Sequence, residues 1–231
     1  MTSPPPPARL PLFPLPLVLF PGAAQPLHIF EPRYRRLLAD VRAADGRFGI
    51  VAATGADAGA PPGGRVGCVA HVRDVEPLPD GRSNLVVDGG ARFAIVRLVD
   101  AGTPYLVAEV EPYEDAPDPA AGPHQLQAAA ARVRDLFDRV ARAARTIADE
   151  IGAAPALPDD PAEVAFAVAA RVEFDLAARQ RLLASRSAVG RLDDVAELLE
   201  RAVGNVEERA ATHERARSNG HGPAHHGPGG A

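Results

Sequence analysis

The chain has 231 residues, 46% of them hydrophobic and 24% charged, which is ordinary for a globular protein of one large or two small domains. Its formal net charge of −5 argues against a general binder of nucleic acid or anionic membranes, since such proteins normally carry a basic field. All 25 basic side chains are arginine. Mechanisms that need a lysine, such as a phosphate-binding P-loop, a Ser-Lys dyad or a Schiff base, are therefore excluded.

The cysteine content and the N-terminus favour a cytoplasmic protein. Cys68 is the single cysteine and cannot form an internal disulfide, which fits a reducing compartment. The apolar stretch at residues 10–24 has no basic n-region before it and no small-residue cleavage site after it, so no signal peptide is predicted. That stretch holds four prolines and is shorter than the roughly 20 residues of a membrane helix, so we expect no membrane span.

The first structured element is predicted at residues 10–24, after a proline-rich arm at residues 1–8 that we expect to be disordered. Pro14 and Pro16 remove two backbone donors that would point to the same side of a strand. Around these positions the segment can pair through one edge only, which predicts a strand at the border of a sheet. Pro21 and Gly22 then turn the chain into a second strand that ends at Phe30.

Further short, Val-rich segments predict a sheet of six or seven strands. They are residues 47–53, 65–78, 82–88, 92–100 and 105–113. The turn sequences Pro79-Asp80-Gly81 and Asp88-Gly89-Gly90 predict hairpins between neighbouring strands. Strands at this spacing indicate a small barrel or a folded-over sheet.

One helix is predicted to interrupt the strands. It begins at Pro32, and Gly46 lies just past its end. Its apolar face consists of Tyr34, Leu37, Leu38 and Val41.

Beyond residue 120 the apolar period becomes helical. A 4-3 alternation, typical of a helix packed lengthwise on another, runs through Leu126, Ala130, Val133, Phe137, Val140, Ala144, Ile147 and Ile151. Gly152 and Pro155 are predicted to end this helix. Asp160 and Pro161 predict the start of a second helix, followed by a third at Asp175 and a fourth near Arg191.

These patterns divide the chain into a β-rich part and a helical part. We assign residues 9–118 to the β-rich part and residues 119–215 to a helical bundle. The Gly/His-rich tail at residues 216–231 has no core-forming side chains, and we expect it to be disordered. Its His221, His225 and His226 could hold a metal ion loosely, but flexible His-rich tails are more often functionally silent.

A search for catalytic and metal-binding motifs yields no positive case. The sequence contains no GxGxxG after a strand, no GxxxxGK[ST], no GxSxG and no HExxH. Cys68 and His71 have an odd spacing on a predicted strand, so they face opposite sides and are interpreted as a core cysteine and a partly buried histidine. We predict no catalytic residues, no cofactor and no metal site.

Two pairs of neighbouring carboxylates lie at predicted helix starts. They are Asp159 with Asp160, and Asp193 with Asp194. Capping and compensation of the helix dipole explain such positions better than acid–base chemistry does.

The segment that opens the predicted sheet carries motifs shared with a known family. "LPLFPLPLVLFPGAAQPLHIFEPRYRRLL", residues 10–38, closely resembles the start of the N-terminal substrate-binding domain of Lon proteases, particularly its stand-alone bacterial relatives. The shared elements are L-P-L-F-P-L, V-L-F-P-G, P-L-x-I-F-E and R-Y-R. The resemblance continues through residues 66–72 and 77–95, and through "FDLAARQRLLA" at residues 174–184, which is similar to the family's D-x-x-x-R/K-Q-x-L-L helix.

The resemblance implies an α+β fold, in which an N-terminal PUA-like pseudo-β-barrel of about six strands with one helix is followed by a C-terminal helical bundle. In Lon, this module recognises unfolded or hydrophobic protein segments and does no proteolysis itself. We expect a stand-alone form that lacks the ATPase and Ser-Lys protease parts, and therefore no enzyme.

The second predicted strand supplies the candidate binding residues. If Leu27 and Ile29 face the core, His28 and Phe30 face outward. An outward phenylalanine beside open backbone would suit an extended peptide bound by β-augmentation. The alternative is that the following helix covers Phe30, since isolated aromatic residues near helices are usually packed.

Two classes of function remain open from the sequence. The favoured one is a protein-binding module, an adaptor in protein quality control whose partners are unfolded or hydrophobic protein segments and a protease or chaperone. The alternative is a PUA-like RNA-binding module, for which the sequence offers the basic cluster Arg33, Arg35, Arg36, Arg42 and Arg47. The net acidity and the absence of tryptophan argue against RNA.

One further pair near the candidate residues has an ordinary explanation. Glu31 and Arg35 are four residues apart at the predicted helix, which predicts an ion pair on its surface and not a binding site.

Overall fold

Strands occupy the first half of the described chain, and helices dominate the second. The structure is a computed structural model and describes residues 8–53, 60–117, 121–148 and 155–219. Its strands are β1 (Ala8–Leu15), β2 (Ala24–Ile29), β3 (Arg47–Ala52), β4 (Val66–Pro77), β5 (Ser83–Val99) and β6 (Leu106–Pro112). Its helices are α1 (Pro32–Ala43), α2 (Pro123–Ala148), α3 (Pro161–Arg171), α4 (Leu176–Ala184) and α5 (Ala188–Asn219).

Five of the six strands in the described residues close into a barrel. In the order β5-β4-β3-β1-β6 each strand pairs with the next, and β6 pairs back with β5. The β1–β3 pair is parallel, and the other pairs are antiparallel. Within the described residues, β2 stands outside this ring and pairs with the first half of β5. The α+β fold predicted from the sequence, a pseudo-barrel with one helix followed by further helices, is confirmed.

The prolines predicted that the first strand lies at the border of the sheet, but it pairs on both sides. Residues 8–12 pair with β6, and residues 12–15 pair with β3. At Pro14 the strand pairs with β3 alone, so the prediction holds only locally. Closure of the barrel gives β1 a second neighbouring strand, β6, which pairs with its first residues. A local proline pattern cannot reveal that pairing.

The predicted hairpin at Asp88-Gly89-Gly90 is wrong, because β5 runs through it as one strand of 17 residues. The glycines provide clearance instead. A Cβ added at Gly89 would lie 2.0 Å from the carbonyl oxygen of Phe20, and one at Gly90 would lie 2.5 Å from Nε2 of His71. The other predicted turn does form: Gly81, between β4 and β5, has a φ of +80°, which favours glycine.

Apolar side chains form two clusters on the two faces of the barrel strands. The smaller one fills the barrel and consists of Leu12, Val51, Phe93, Ile95, Ala108 and Val110. Phe93 occupies space that Gly49 and Gly67 leave free, since a Cβ at either glycine would lie 2.6 Å from its Cζ. The larger cluster joins the outer face of the barrel to α1 and to the later helices. The predicted apolar face of α1 (Tyr34, Leu37, Leu38 and Val41) is buried in it.

The longest helices, α2 and α5, pack against each other. Ala130, Val133 and Phe137 of the predicted seam are buried, but further along Ala143 is buried and Ala144 is exposed. A straight α-helix has 3.6 residues per turn, so a strict heptad seam drifts by about 20° per heptad around it. Residues 149–154, where this helix was predicted to end, lie outside the described residues.

The starts of two helices follow the sequence closely. Asp160 caps α3 by accepting a hydrogen bond from the Ala162 N–H at 2.9 Å. Asp175 caps α4 by accepting one from the Ala178 N–H at 2.7 Å. Both helix starts were predicted and are confirmed.

The last helix differs from its prediction at both ends. It begins at Ala188, so Asp193 and Asp194 lie in its second turn and do not cap it, contrary to the prediction. It continues to Asn219, four residues into the tail that was predicted to be disordered, and β1 likewise includes Ala8 of the predicted arm. Residues 1–7 and 220–231 lie outside the described residues. No helix in the described ranges is both long and apolar enough to cross a membrane.

Candidate functional site

The second strand forms an open edge of the sheet within the described residues, and this edge is blunted. The Gly89 N–H donates to the Ala23 carbonyl at 2.8 Å, and Ala24 pairs with Asp88. Because backbone groups alternate along an antiparallel strand, those of Pro26 and His28 point away from β5 to the open edge. Pro26 has no N–H to offer there, and its carbonyl accepts a hydrogen bond from Nε2 of Gln25 at 3.0 Å. Proline at this place is a usual protection of a sheet edge.

The side chain of Phe30 lies in solvent at the end of this strand. Leu27 and Ile29 are buried, whereas His28 is exposed and Phe30 is 59% exposed. The two outward rings stack at a centroid distance of 6.1 Å. Helix α1 therefore does not cover Phe30, which was the alternative interpretation.

An apolar groove of about 340 Å³ lies beside Phe30, between the end of β1 and the connection from β2 to α1. Hereafter it is called the Phe30 groove. Its walls include Phe13, Pro14, Leu15, Pro16, Phe30 and Tyr34. Pro14 and Pro16 lack an N–H, so this wall presents ring carbons and carbonyl groups in place of backbone donors. Such a surface suits apolar side chains of a partner.

A second depression, of about 330 Å³, adjoins the groove across His28. It lies on the outer face of β2, β5 and β4 and is lined by Pro26, His28, Asp74, Glu76, Asn84 and Val86, among others. Nδ2 of Asn84 donates to Oε2 of Glu76 at 3.0 Å, so its Oδ1 is free to accept. Nδ1 of His28 lies 2.8 Å from that oxygen and therefore carries the proton.

The arginine cluster that favoured RNA is largely paired with carboxylates. Arg33 pairs with Glu31, Arg36 with Asp40, and Arg47 with Asp45. The ion pair expected between Glu31 and Arg35 is replaced by the one with Arg33, because Glu31 precedes the helix as its N-cap residue. The Arg35 guanidinium instead lies over the β4–β5 turn, where a Cβ at Gly81 would come within 2.2 Å of its Nη2.

The carboxylate of Asp40 shows how these pairs are fixed. Oδ2 of Asp40 accepts hydrogen bonds from Nε of Arg36 at 2.9 Å and from the Tyr105 hydroxyl at 2.8 Å. The two hydrogen bonds hold the pKa of Asp40 below its usual value.

Cys68 and His71 lie on opposite sides of β4, as their spacing predicts. Cys68 is fully buried, and burial raises the pKa of its thiol to about 12. His71 is exposed, not partly buried as predicted, because it lies over Gly90 at the surface. Among the described residues, no group of three or more His, Cys, Asp or Glu side chains is placed to hold a metal ion.

Comparison with known proteins identifies the family of this fold. The family model of the ATP-dependent protease La (LON) substrate-binding domain matches residues 9–201. The chain belongs to the Lon substrate-binding domain family.

The curated relatives are Lon proteases, and the chain matches only part of each. The Lon protease of Xanthomonas oryzae is 29% identical over 204 residues, covering 86% of this chain and 23% of that protein. The Lon protease of Anaeromyxobacter dehalogenans is 30% identical over 204 residues, covering 84% of this chain and 23% of that protein. The chain thus spans about a quarter of the length of these relatives.

Solved structures of Lon N-terminal domains share the fold. The Lon N-terminal domain protein from Xanthomonas campestris is 26% identical and has a TM-score of 0.56, covering 81% of this chain and 96% of that one. The N-terminal domain of Mycobacterium avium complex Lon protease has a TM-score of 0.61 at 19% identity, which shows the fold alone. That match covers 84% of this chain and 98% of the solved one.

The Lon-like helix motif at residues 174–184 ties the helices to the barrel. Nη2 of Arg179 donates to the Val18 carbonyl at 3.2 Å, and its guanidinium lies 5.1 Å from the Phe20 ring centre. Nε2 of Gln180 donates to the Val66 carbonyl at 3.0 Å, while Leu182 is buried. The polar positions of the motif thus dock α4 on β4 and on the connection between β1 and β2. They stabilise the fold and do not line the Phe30 groove.

An ionic cluster around two buried arginines, hereafter called the junction, holds the same two parts of the Lon-type fold together. Both oxygens of Asp115 accept hydrogen bonds from Arg191 on α5, at 2.9 and 2.8 Å, and Oδ1 also accepts one from Arg92 on β5. Arg92 donates further to the Leu183 carbonyl, and the Arg191 guanidinium lies 4.0 Å from the Phe166 ring centre. Arg191 is 1% exposed.

None of the junction residues was predicted from the sequence. The three charged residues of the junction are far apart in the chain, and the arginines are two among the 25 of the sequence. The hydroxyl of Tyr113 donates to the Ala184 carbonyl at 2.8 Å, which extends the same contact. No local spacing rule connects these positions, so no signal in a single sequence could have selected them.

Proposed function

We propose that this chain is a non-catalytic protein-binding module that takes unfolded or hydrophobic polypeptide segments into the Phe30 groove. The exposure of Phe30 beside an apolar groove carries the proposal. An aromatic ring exposed at the rim of an apolar groove supplies the hydrophobic contact area that binding sites use. Membership of a substrate-binding domain family supports the same function.

The mode of binding rests on side chains more than on strand addition. β-Augmentation needs a row of free backbone donors and acceptors on the receiving strand. The edge of β2 lacks a donor at Pro26, and Gln25 covers the Pro26 carbonyl. A polypeptide would instead gain affinity by placing a large apolar side chain against Phe30, Pro14 and Pro16.

A role as an adaptor in cytoplasmic protein quality control follows from this proposal. A module that holds exposed apolar segments without chemistry of its own acts by presenting them to another protein. A protease or a chaperone is the partner class that uses such segments.

RNA binding has less support than it had from the sequence. Three of the five arginines of the basic cluster are committed to carboxylates within two to four residues. A paired arginine contributes less field and offers fewer free donors to phosphate groups.

The decisive experiment compares the two large apolar side chains exposed in the described part of the chain. Phe30 is 59% exposed and Val96 is 43% exposed. A reduced and alkylated, permanently unfolded protein serves as the probe, and affinity is measured by fluorescence anisotropy. Phe30→Ala is expected to weaken binding about tenfold or more, because a buried aromatic side chain contributes about 1.5–3 kcal/mol. Val96→Ala, the matched control, should leave the affinity within about twofold of wild type.

Two results would count against the proposal. Equal affinities of the two variants would remove the Phe30 groove as the binding site. Binding of a single-stranded RNA probe that high salt abolishes, without binding of the unfolded protein, would favour the RNA-binding alternative.

A further inference from the structure

The depression that adjoins the Phe30 groove carries charge of one sign. Asp74 and Glu76 are both exposed on its rim, and neither forms a salt bridge within the described part of the chain. Glu76 accepts from the neutral side chain of Asn84, and Oδ1 of Asp74 accepts from the Val75 N–H. Hereafter this surface is called the acidic depression.

The arginines around this face do not line the depression, and Arg35 lies over the β4–β5 turn at Gly81. Arg73 is paired with Asp88 at 2.9 Å, and Arg82 is paired with Asp80 at 2.6 Å. Arg33, on the far side of the Phe30 groove, is paired with Glu31 at 2.9 Å. The groove with its apolar wall is therefore continuous with a surface whose two unpaired charges are negative.

The strand register fixes the spacing between the apolar and the acidic parts. His28 pairs with Asn84, and Asn84 pairs with Glu76, so these three form one row across the strands. Pro26, Val86 and Asp74 form the next row. Alternate residues of a strand are about 6.6 Å apart on one face, and neighbouring strands are about 4.8 Å apart, so Glu76 and Asp74, two strands away from β2, lie about 12 and 16 Å from Phe30.

We infer that the site selects segments in which a large apolar residue and an arginine or lysine lie two to four residues apart. The apolar side chain enters the Phe30 groove, and the basic side chain reaches the acidic depression. An extended segment carries side chains two and four residues apart on the same face, which matches the spacing of the rows along β2, and the long side chain of arginine or lysine extends across the strands toward β4. This inference rests on the proposed function and adds the sequence class of the client.

The test uses short labelled peptides and the whole chain. One peptide of twelve residues carries a single phenylalanine and an arginine four residues away, in an otherwise Gly/Ser background. Three matched peptides replace the arginine by glutamine, replace it by glutamate, or replace the phenylalanine by alanine. A fifth has the order of phenylalanine and arginine reversed, because the direction of the bound segment is open.

The expected result is a ranking by charge. The better-bound of the two arginine peptides should bind about three- to tenfold more tightly than the glutamate peptide in 50 mM salt, with the glutamine peptide between them. The difference should shrink in 0.5 M salt, since exposed charges are screened. The alanine peptide should bind weakly at either salt concentration.

Isosteric variants assign the charge effect to the two carboxylates. Asp74→Asn with Glu76→Gln keeps acceptor oxygens for the Val75 N–H and for Asn84, and should bind the arginine and glutamate peptides with affinities within about twofold. Affinity for the glutamine peptide should stay unchanged. Asp193→Asn with Glu197→Gln removes the same charge from the exposed face of α5 and should keep the full discrimination.

The outcomes separate this inference from the proposed function. If arginine, glutamine and glutamate peptides bind wild type equally while Phe30→Ala weakens all three, the inference is overturned and the proposed function stands. If the α5 control loses the discrimination as well, the acidic depression is not its source, and the inference again fails. If no peptide and no unfolded protein binds, the proposed function itself is wrong.

Discussion

The junction and the Phe30 groove differ in which side chains they bury and which they expose to solvent. At the junction, two arginine side chains are buried, and Asp115, whose side chain is 32% exposed, shares its two oxygens between Arg92 and Arg191. At the Phe30 groove, an aromatic ring is left in solvent although a buried core lies directly beneath it. A chain selected for stability alone would bury the ring and expose the charges.

The difference indicates which region holds the fold and which meets a partner. Removing the counter-ion of two buried arginines leaves their charges uncompensated, so changes at the junction should act on stability. Removing an exposed side chain costs little stability, so changes at Phe30 should act on binding. Substitutions in each region test whether stability and binding are separated in this way.

The largest expected effect belongs to Asp115→Ala. Arg92 and Arg191 would then remain buried without their shared counter-ion, and the free energy of unfolding should fall by about 3 kcal/mol. Urea denaturation measures this change. The matched control is Glu207→Ala, which removes an exposed ion pair with Arg139 and should cost less than about 1 kcal/mol. Equal losses in the two variants would show that the junction does not hold the fold.

The same carboxylate predicts a dependence on pH. Burial raises the pKa of Asp115, but hydrogen bonds and charge from Arg191 and Arg92 outweigh it and hold the pKa below the usual value. A lowered folded-state pKa means that the contribution is complete above the unfolded value, about pH 4, and is lost as the pH falls through the folded value. The stability difference between wild type and Asp115→Asn should therefore narrow in acid. A difference that widens there would contradict the assignment.

An intermediate effect on stability is expected at Gly89. This residue lies between the part of β5 that pairs with β2 and the part that pairs with β6. An added Cβ would lie 2.0 Å from the backbone oxygen of Phe20, which cannot move without its strand connection. Gly89→Ala should lower the free energy of unfolding by about 1–3 kcal/mol. Gly204→Ala, in open space on α5, should raise it by up to about 1 kcal/mol, because alanine favours the helix. Thermal unfolding of the two variants in opposite directions is the expected observation.

The smallest effect on stability is expected at the open edge. Pro26→Val restores a backbone donor on β2 and should promote strand pairing between molecules, with the free energy of unfolding changed by less than about 0.5 kcal/mol. Light scattering over a range of concentrations reports the association. Gln25→Ala uncovers the Pro26 carbonyl without adding a donor, so it should associate less than Pro26→Val does. A Pro26→Val variant that stays as dispersed as wild type would show that the edge is protected by something other than the proline.

Local chemistry made much of the fold predictable from the sequence. Pro32, Asp160 and Asp175 mark helix starts because caps and first-turn prolines act within four residues. The alternation from Leu27 to Phe30 placed the aromatic ring outward because strand side chains have a period of two.

Features that depend on distant partners were not predictable. Asp88-Gly89-Gly90 has the composition of a turn, but its glycines leave room for Phe20 and His71, which come from other parts of the chain. The second partner of β1 comes from barrel closure by β6, about 100 residues later. The acidic depression also escaped notice, because Asp74 and Glu76 meet His28 only through the pairing of β2, β5 and β4.

The central claim is that the Phe30 groove binds a partner while the junction only stabilises the fold. The most direct test is amide chemical-shift mapping of the ¹⁵N-labelled chain during titration with the better-bound phenylalanine–arginine peptide. We expect the largest shifts at Leu15, His28, Phe30 and Tyr34, with smaller ones at Glu76 and Asn84, and an unchanged environment for Arg92, Asp115 and Arg191. Shifts centred on the junction or on α4, with those of Phe30 and its neighbours unmoved, would contradict the account.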